Sequence, residues 1–160
     1  MMIRRSWSRL QARNIENGAA SQMSVVQVLV VDDSQAWQKF IGTQLVLCSN
    51  VAIIATESDG LEAVIKAGEL QPDLVLLDIH LVTLNGIEVA RQIREVAPKS
   101  IILFVSAESD PDIVRSAFGA GGHGYVLKQE AAMDLLVGMD AVLSGRRFVS
   151  RGLGDAGNLT

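Results

Sequence analysis

Short apolar runs alternate with segments of helical periodicity along most of the chain, and this alternation constrains the fold more than any other feature. Strands buried on both faces and joined by amphipathic helices indicate a parallel sheet with right-handed crossovers and helices on both faces. We therefore predict a five-stranded, doubly wound α/β domain. The five runs predicted as strands are rich in Val, Ile and Leu and cover residues 26–31, 51–56, 73–78, 100–106 and 124–128.

Local signals predict where several helices begin and end. Ser34 follows the first strand and can cap a helix through its hydroxyl. Asp110 can cap a later helix, with Pro111 at the first helical position, where proline is favoured. Pro72 and Pro98 end the helices that precede them, because the residue before a proline disfavours helical geometry. Five predicted helices thus alternate with the five predicted strands, and the last helix follows the fifth strand.

The length and charge of the chain suit a single acidic domain. At 160 residues the chain has room for one core. We predict a poorly ordered basic extension over residues 1–24, the folded domain over residues 25–146 and a flexible tail over residues 147–160. The extension carries four arginines against one glutamate, and the whole chain has a net charge of −4, so the remaining residues carry −7. An acidic folded part argues against direct binding of nucleic acid.

The sequence lacks the signals of a membrane or disulfide-bonded protein. No apolar run approaches the roughly 18 residues that a membrane-spanning helix needs, so we predict no membrane association. Cys48 is the sole cysteine, which leaves no disulfide framework. We therefore expect a cytoplasmic protein.

Polar and charged residues follow the predicted strands at the point where each ends. Asp32 and Asp33 follow the first strand. Asp78 ends the third, Ser106 the fourth and Lys128 the fifth. Because the carboxyl ends of parallel strands meet at one edge of the sheet, we expect these side chains to lie together. A single aspartate or serine after a strand is most often a helix cap, but the whole set predicts a functional site.

The chemistry of this set is that of phosphoryl transfer. Three close carboxylates repel one another unless a cation neutralises them, and oxygen-only ligands suit Mg²⁺. A carboxylate can also act as a nucleophile and form an acyl phosphate. The transfer requires neutralisation of charge on the phosphoryl oxygens, which Mg²⁺, Lys128 and the Ser106 hydroxyl can share. We therefore predict that Asp78, at the end of a buried strand, is the residue that becomes phosphorylated.

Several stretches of the sequence resemble the receiver domain of bacterial two-component response regulators. They are VLVVDDSQ at the first strand, PDLVLLDI and LNGIE around the third, ILFVSA at the fourth and GYVLK at the fifth. The resemblance covers about residues 25–150 and implies a CheY-like, flavodoxin-like (βα)5 fold with strand order 2-1-3-4-5. GYVLK and the later AVLSGRRFVS are most similar to receivers attached to LuxR-type outputs. A helix-turn-helix output is not expected in the few residues that follow.

The resemblance also implies a role for each residue of the predicted site. Asp78 matches the phosphoacceptor and a metal ligand, and Asp33 matches the direct ligand of Mg²⁺. Asp32 would contact the metal through water, and the backbone carbonyl of His80 would be a further ligand. The other matches are the phosphate-binding and switch residues Ser106, Lys128 and Tyr125, and the positions His80 and Glu108, where side chains tune hydrolysis.

The resemblance implies partners and a switch as well. A sensor histidine kinase or a phosphotransfer protein would supply the phosphoryl group from a phosphohistidine. Ser106 would then move toward the phosphate and Tyr125 would turn inward, which changes the surface that binds a downstream protein. Homodimerisation is common among the relatives, with no face singled out here. The chain would not be an enzyme acting on outside substrates; it would promote only its own phosphorylation and dephosphorylation.

Three other interpretations stay open from the sequence. The chain could be the receiver part of a LuxR-type transcriptional regulator without its DNA-binding domain. A Mg²⁺-dependent phosphatase that forms an aspartyl phosphate is a second alternative, although such enzymes place the nucleophile in a D-x-D after the first strand, and here Asp32 and Asp33 are followed by Ser34 and Gln35. An inert receiver-like protein is the third, and the presence of all the expected site residues argues against it.

Overall fold

A computed structural model describes residues 24–157 of the chain as one parallel sheet covered by helices on both faces. The strands are β1 (Val26–Val31), β2 (Val51–Glu57), β3 (Leu74–Leu77), β4 (Ile101–Ser106), β5 (Gly124–Leu127) and β6 (Phe148–Val149). The helices are α1 (Gln35–Leu45), α2 (Gly60–Leu70), α3 (Gly86–Val96), α4 (Pro111–Gly119) and α5 (Ala131–Leu143), with 3-10 turns at Lys128–Glu130 and Arg151–Gly157. The strand order is β2-β1-β3-β4-β5-β6, which confirms the predicted order for the first five strands.

The two faces of the sheet bury two separate apolar clusters. Alternate residues of each strand point to opposite faces, so Val28 and Val30 pack with α1 and α5, whereas Leu29 and Val31 pack with α2, α3 and α4. The inner strands β1, β3, β4 and β5 are buried along most of their length, as the continuous apolar runs predicted, whereas the edge strand β2 is only partly buried. The layered α/β architecture predicted from the alternation is confirmed.

The capping residues predicted from the sequence start the helices as expected. The Ser34 hydroxyl accepts the backbone N–H of Trp37 at 3.4 Å at the start of α1. The carboxylate of Asp110 accepts the backbone N–H of Asp112 at 2.8 Å, and Pro111 is the first residue of α4. These caps fix the directions in which the two helices leave the carboxyl edge of the sheet.

The sheet has a sixth strand that the sequence did not predict. We expected a flexible tail from residue 147, but Phe148–Val149 pairs in parallel with β5 and residues 151–157 form a 3-10 turn. The Ser150 hydroxyl accepts the backbone N–H of Leu127 at 3.0 Å and donates to the carboxylate of Asp134 at 2.7 Å, and Leu153 is buried in the core. The prediction of a five-stranded sheet was therefore one strand short.

The pairing of β1 with β2 contains one irregularity. The register passes from Val28 opposite Ile53 to Leu29 opposite Ala55, so Ile54 has no partner in the ladder. Such a bulge bends the strand and increases its twist.

The basic extension predicted over residues 1–24 lies, except for its last residue, outside the described part of the chain. Among the residues that the structure does describe, no helix is long and apolar enough to cross a membrane.

Candidate functional site

Three carboxylates converge where β1 and β3 end. Asp32 and Asp33 follow β1 directly and Asp78 follows β3, and one oxygen of each lies within 4.8 Å of an oxygen of the others. Asp32 and Asp78 are buried, whereas Asp33 is exposed to solvent. The sequence prediction that these three side chains form one cluster is confirmed.

Lys128 provides the positive charge of the cluster. Its ammonium lies 2.8 Å from an oxygen of Asp32 and 3.0 Å from an oxygen of Asp78, and only a tenth of its side chain is exposed. Burial by itself would lower the pKa of Lys128, but the hydrogen bonds to Asp32 and Asp78 and the negative charges of these two carboxylates together outweigh burial and raise the pKa. The ammonium therefore stays charged in the acidic cluster.

The backbone around Asp78 holds its carboxylate in a fixed orientation. The backbone N–H of Ile79 donates to Asp78 Oδ1 at 2.8 Å, while Lys128 occupies Oδ2. Gly86, the first residue of α3, donates its N–H to the carbonyl of Ile79 at 2.7 Å. A Cβ at position 86 would lie 2.0 Å from the carbonyl oxygen of Asp78. Glycine is therefore required here for α3 to begin against the loop that carries Asp78.

Asp32 is held by the first turn of α1. Its Oδ1 accepts the backbone N–H of Ser34 at 2.9 Å, and its backbone carbonyl accepts Nε2 of Gln38 at 2.6 Å. Burial raises the pKa of Asp32 above its ordinary value, because desolvation outweighs the hydrogen bonds from Lys128 and Ser34. Two buried carboxylates side by side are a common feature of functional sites.

The predicted switch residues Ser106 and Tyr125 lie on the neighbouring strands β4 and β5, Ser106 at the end of β4 and Tyr125 as the second residue of β5. The Ser106 hydroxyl is buried and accepts the backbone N–H of Glu108 at 3.2 Å. The Tyr125 hydroxyl donates to the backbone carbonyl of Glu108 at 2.7 Å, and the ring stacks on Phe104 with centroids 6.0 Å apart. Burial raises the pKa of Tyr125 to about 12. Tyr125 is thus an inward-facing, neutral side chain that is joined to the loop after Ser106.

The two side chains predicted to tune hydrolysis contact each other across the site. Nε2 of His80 lies 3.2 Å from a carboxylate oxygen of Glu108. The backbone N–H of Asp110, and then His80, hold the pKa of Glu108 below its ordinary value. The pair joins the loop after β3 to the loop after β4, so both loops flank the Asp78 carboxylate.

Sequence reasoning missed two neighbours of the cluster, both in the first turns of α1. Helical spacing indicates only a packing role for Trp37, but the Lys128 ammonium lies 4.9 Å from the centroid of one of its rings. Gln38, which was not singled out, bonds the Asp32 carbonyl and the hydroxyl of Ser58. The available signal was the cap at Ser34, because a helix that begins beside Asp33 must present its first turns to the same edge of the sheet.

The donor set fits a divalent cation with oxygen ligands. By formal charge, three carboxylates and one ammonium leave an excess of two negative charges, which one Mg²⁺ would neutralise. Asp33 is the exposed member of the cluster, so a cation can reach it from solvent. The backbone carbonyl of His80 and a water-mediated contact to Asp32 stay predictions about how that cation is held.

The chain belongs to the response regulator receiver domain family, whose pattern it matches over residues 28–139. It is 33% identical over 127 residues to the response regulator protein VraR of Staphylococcus aureus, an alignment that covers 79% of this chain and 57% of VraR. It is 31% identical over 121 residues to the transcriptional regulatory protein LnrK of Bacillus subtilis, which covers 76% of this chain and 55% of LnrK. The chain thus spans about half the length of these relatives.

Solved structures of receivers have the same fold. A two-component response regulator of the LuxR family from Aurantimonas sp. SI85-9A1 superposes with a TM-score of 0.79 at 28% identity, covering 84% of this chain and 96% of that one. The isolated REC domain of RcsB from Salmonella enterica serovar Typhimurium superposes with a TM-score of 0.77 at 20% identity, covering 83% and 99%, and at this identity the likeness shows the fold alone. The CheY-like fold predicted by resemblance is confirmed, as is the similarity to receivers of LuxR-type regulators.

Proposed function

We propose that this chain accepts a phosphoryl group on Asp78 in a two-component phosphorelay. The observation that carries the proposal is the geometry around Asp78: a buried carboxylate lies beside two further carboxylates and 3.0 Å from the Lys128 ammonium, with the Ser106 hydroxyl at the end of the neighbouring strand. The donor would be a phosphohistidine on a sensor histidine kinase or a phosphotransfer protein, as membership of the family implies.

The transfer needs a nucleophile that is fixed in place. One oxygen of Asp78 attacks phosphorus, the bond from phosphorus to the histidine nitrogen breaks, and its electron pair returns to the imidazole. The hydrogen bond from Ile79 and the ion pair with Lys128 hold the carboxylate plane before the reaction. Hydrolysis of the acyl phosphate by water then restores the carboxylate and releases inorganic phosphate.

Mg²⁺ would neutralise negative charge on the phosphoryl oxygens when it is bound. The residues that would hold it are Asp33 and Asp78, with the His80 carbonyl, and with Asp32 through water. Lys128 would bind one phosphoryl oxygen in exchange for its contact with Asp78. The Ser106 hydroxyl would bind another once it leaves the backbone N–H of Glu108.

The output of the reaction would be a changed surface on α4, β5 and α5. Tyr125 is already buried and bonded to the Glu108 carbonyl in this structure, so its side chain has the inward position that the switch assigns to the phosphorylated form. Movement of Ser106 toward the phosphate would alter the loop that carries Glu108, and would change the strength of the Tyr125 bond. This is a local charge event that biases packing between two states.

We also propose a broader setting for this module. Its similarity to receivers of LuxR-type regulators favours a role as the receiver part of a transcriptional regulator over a role as an outside phosphatase. In that setting a downstream protein or a second copy of the chain would bind the switched surface, in the cytoplasm. The chain would have no enzymatic activity beyond its own phosphorylation and dephosphorylation.

Intact-mass measurement after incubation with acetyl phosphate and Mg²⁺ tests the proposal. The wild type should gain the mass of one phosphoryl group, and Asp78→Asn should gain none while keeping its fold. Asp112→Asn makes the same chemical change on an exposed aspartate of α4 and should label like the wild type. Labelling of Asp78→Asn at the wild-type level would show that another residue is the acceptor.

A further inference from the structure

We propose that Trp37 is a positioning residue of this site, which holds the Lys128 ammonium against the acceptor carboxylate through the face of its indole ring. The proposal rests on the phosphoacceptor function proposed above and adds a residue to it. Trp37 follows Asp33 by four positions and lies in the first turns of α1. Trp37 is not one of the three clustered aspartates; its ring contacts Lys128 from helix α1.

Two carboxylates and one aromatic ring contact the Lys128 ammonium. A lysine ammonium has three N–H groups. Two are directed to Asp32 and Asp78, at 2.8 Å and 3.0 Å. The Trp37 ring, with its centroid 4.9 Å away, is within the distance at which a cation is attracted to an aromatic face. The ammonium thus lies between two carboxylates and an aromatic face, and 10% of the Lys128 side chain is exposed.

Trp37 is itself held in place by α1. Its ring meets the Phe40 ring edge to face, with centroids 5.1 Å apart and planes at 76°. The Ser34 hydroxyl accepts the Trp37 backbone N–H. Gln38, the next residue of α1, donates its side-chain N–H to the Asp32 carbonyl. The indole is therefore fixed relative to the cluster by the same helix that orients Asp32.

The placement has a chemical consequence for the transfer. When an acyl phosphate forms, the ammonium must exchange an Asp78 oxygen for a phosphoryl oxygen over a short distance. An aromatic face that attracts the ammonium without forming a directional hydrogen bond allows this shift and still excludes water. Loss of the ring would let water solvate the ammonium, which would weaken its interaction with the transferring phosphoryl group.

The test compares two substitutions that differ in aromatic character. Trp37→Leu removes the aromatic face and keeps an apolar side chain, whereas Trp37→Phe keeps a smaller aromatic face. Phe118→Leu is the matched control, because Phe118 lies under Arg147 at a centroid distance of 3.7 Å, in a cation–aromatic contact outside the acidic cluster. The initial rate of phosphoryl uptake from acetyl phosphate at saturating Mg²⁺ is measured for each, with circular dichroism as the check on folding.

Trp37→Leu should lower the initial rate roughly five-fold, as expected for the loss of a partly desolvated cation–π contact. Trp37→Phe should restore most of the rate, and Phe118→Leu should match the wild type. Phenylalanine would also keep the edge-to-face contact with Phe40 better than leucine, so the melting temperature separates the two roles: a structural role would lower it together with the rate, whereas a positioning role would lower the rate alone. In addition, the ε-methylene protons of Lys128 should be shifted upfield by the indole ring current in NMR spectra, and Trp37→Leu should abolish that shift.

The outcomes separate the two proposals. Uptake by the wild type with equal rates in Trp37→Leu and Trp37→Phe would overturn the role of Trp37 and leave the acceptor function standing. A similar slowing in all three variants would overturn it too, because general loss of packing would then explain the effect. No uptake in any protein would overturn the acceptor function and, with it, the proposal for Trp37, even where the ring-current shift is present.

Discussion

The carboxyl and amino edges of the central sheet differ in whether their buried charged side chains bond one another. At the carboxyl edge, charged side chains bond one another: Lys128 joins Asp32 and Asp78. At the amino edge, side chains bond the backbone. The buried Ser100 hydroxyl donates to the carbonyl of Pro72 at 2.6 Å, and His123 Nδ1 accepts the backbone N–H of Ile102 at 3.1 Å.

This difference separates what the fold needs from what the chemistry needs. Buried ion pairs contribute little net stability, since the desolvation of the charges offsets their attraction. Hydrogen bonds from side chains satisfy the backbone N–H and carbonyl groups that are left without ladder partners where strands meet loops. The amino edge therefore fastens loops to strands, whereas the carboxyl edge keeps an excess of negative charge that the fold does not require.

Of the substitutions considered, Lys128→Met should change stability at the carboxyl edge the most. It leaves Asp32 and Asp78 buried side by side without their cation, and we expect a loss of about 3–5 kcal/mol in the free energy of unfolding without Mg²⁺. Urea unfolding measures the loss, and Lys39→Met, at an exposed position of α1, is the control. Added Mg²⁺ should stabilise the Lys128→Met variant more than the wild type. Equal unfolding midpoints for the variant and the wild type without Mg²⁺ would contradict this account of the cluster.

Asp33→Ala should weaken the binding of Mg²⁺ at the carboxyl edge without destabilising the fold. We expect Mg²⁺ affinity to fall by at least roughly ten-fold, since even indirect partners of metal ligands contribute that much. Stability without Mg²⁺ should stay the same or rise, because the exposed Asp33 adds only repulsion to the cluster. Calorimetric titration measures the affinity, and an affinity unchanged by the substitution would remove Asp33 from the metal site.

Ser100→Ala tests the amino edge by the same criteria. Loss of the hydroxyl leaves the Pro72 carbonyl without this donor, and we expect a loss of about 1–2 kcal/mol in the free energy of unfolding. Mg²⁺ affinity and phosphoryl uptake should not change. A weakened Mg²⁺ site in this variant would show that the two edges are coupled, contrary to the division drawn here.

The smallest expected effect is a pH dependence at His123. Burial, and then the charge of Arg94, lower the pKa of His123 below 6.5, so the unfolded chain binds the proton more readily than the folded one. The contribution of His123 to stability is therefore present above about pH 6.5 and is lost as the pH falls below that value. His123→Asn keeps an acceptor near the position of Nδ1 and should lose less stability than the wild type between pH 7 and pH 5. Parallel curves of stability against pH for the two proteins would refute the assignment.

The acidic cluster could be predicted from the sequence because it depends only on which residues are acidic and on where they stand relative to the strands. Asp32, Asp33 and Asp78 each end or follow a strand, and parallel strands bring such positions together whatever the details of packing. The contact of Trp37 with Lys128 was not predictable in this way, because it depends on the distance between α1 and β5 and on side-chain conformation. The spacing of apolar residues along α1 predicts only that Trp37 packs against the sheet.

The sixth strand was missed for a different reason. Phe148–Val149 is too short to show the alternation that marks a strand, and its flanking residues are small or polar. The strand forms because β5 offers an unpaired edge and because Ser150 and Leu153 find buried positions beside it. Its formation thus follows from tertiary context rather than from local propensity.

The outermost strands of the sheet have a consequence for self-association of the protein in concentrated solution. An exposed strand edge can pair with the edge of another chain, and proteins avoid such aggregation with short or irregular edge strands. Within residues 24–157, β6 closes one side of the sheet with two residues, and β2 closes the other with a ladder interrupted at Ile54. Neither side therefore offers a long, regular template to which an incoming strand can add.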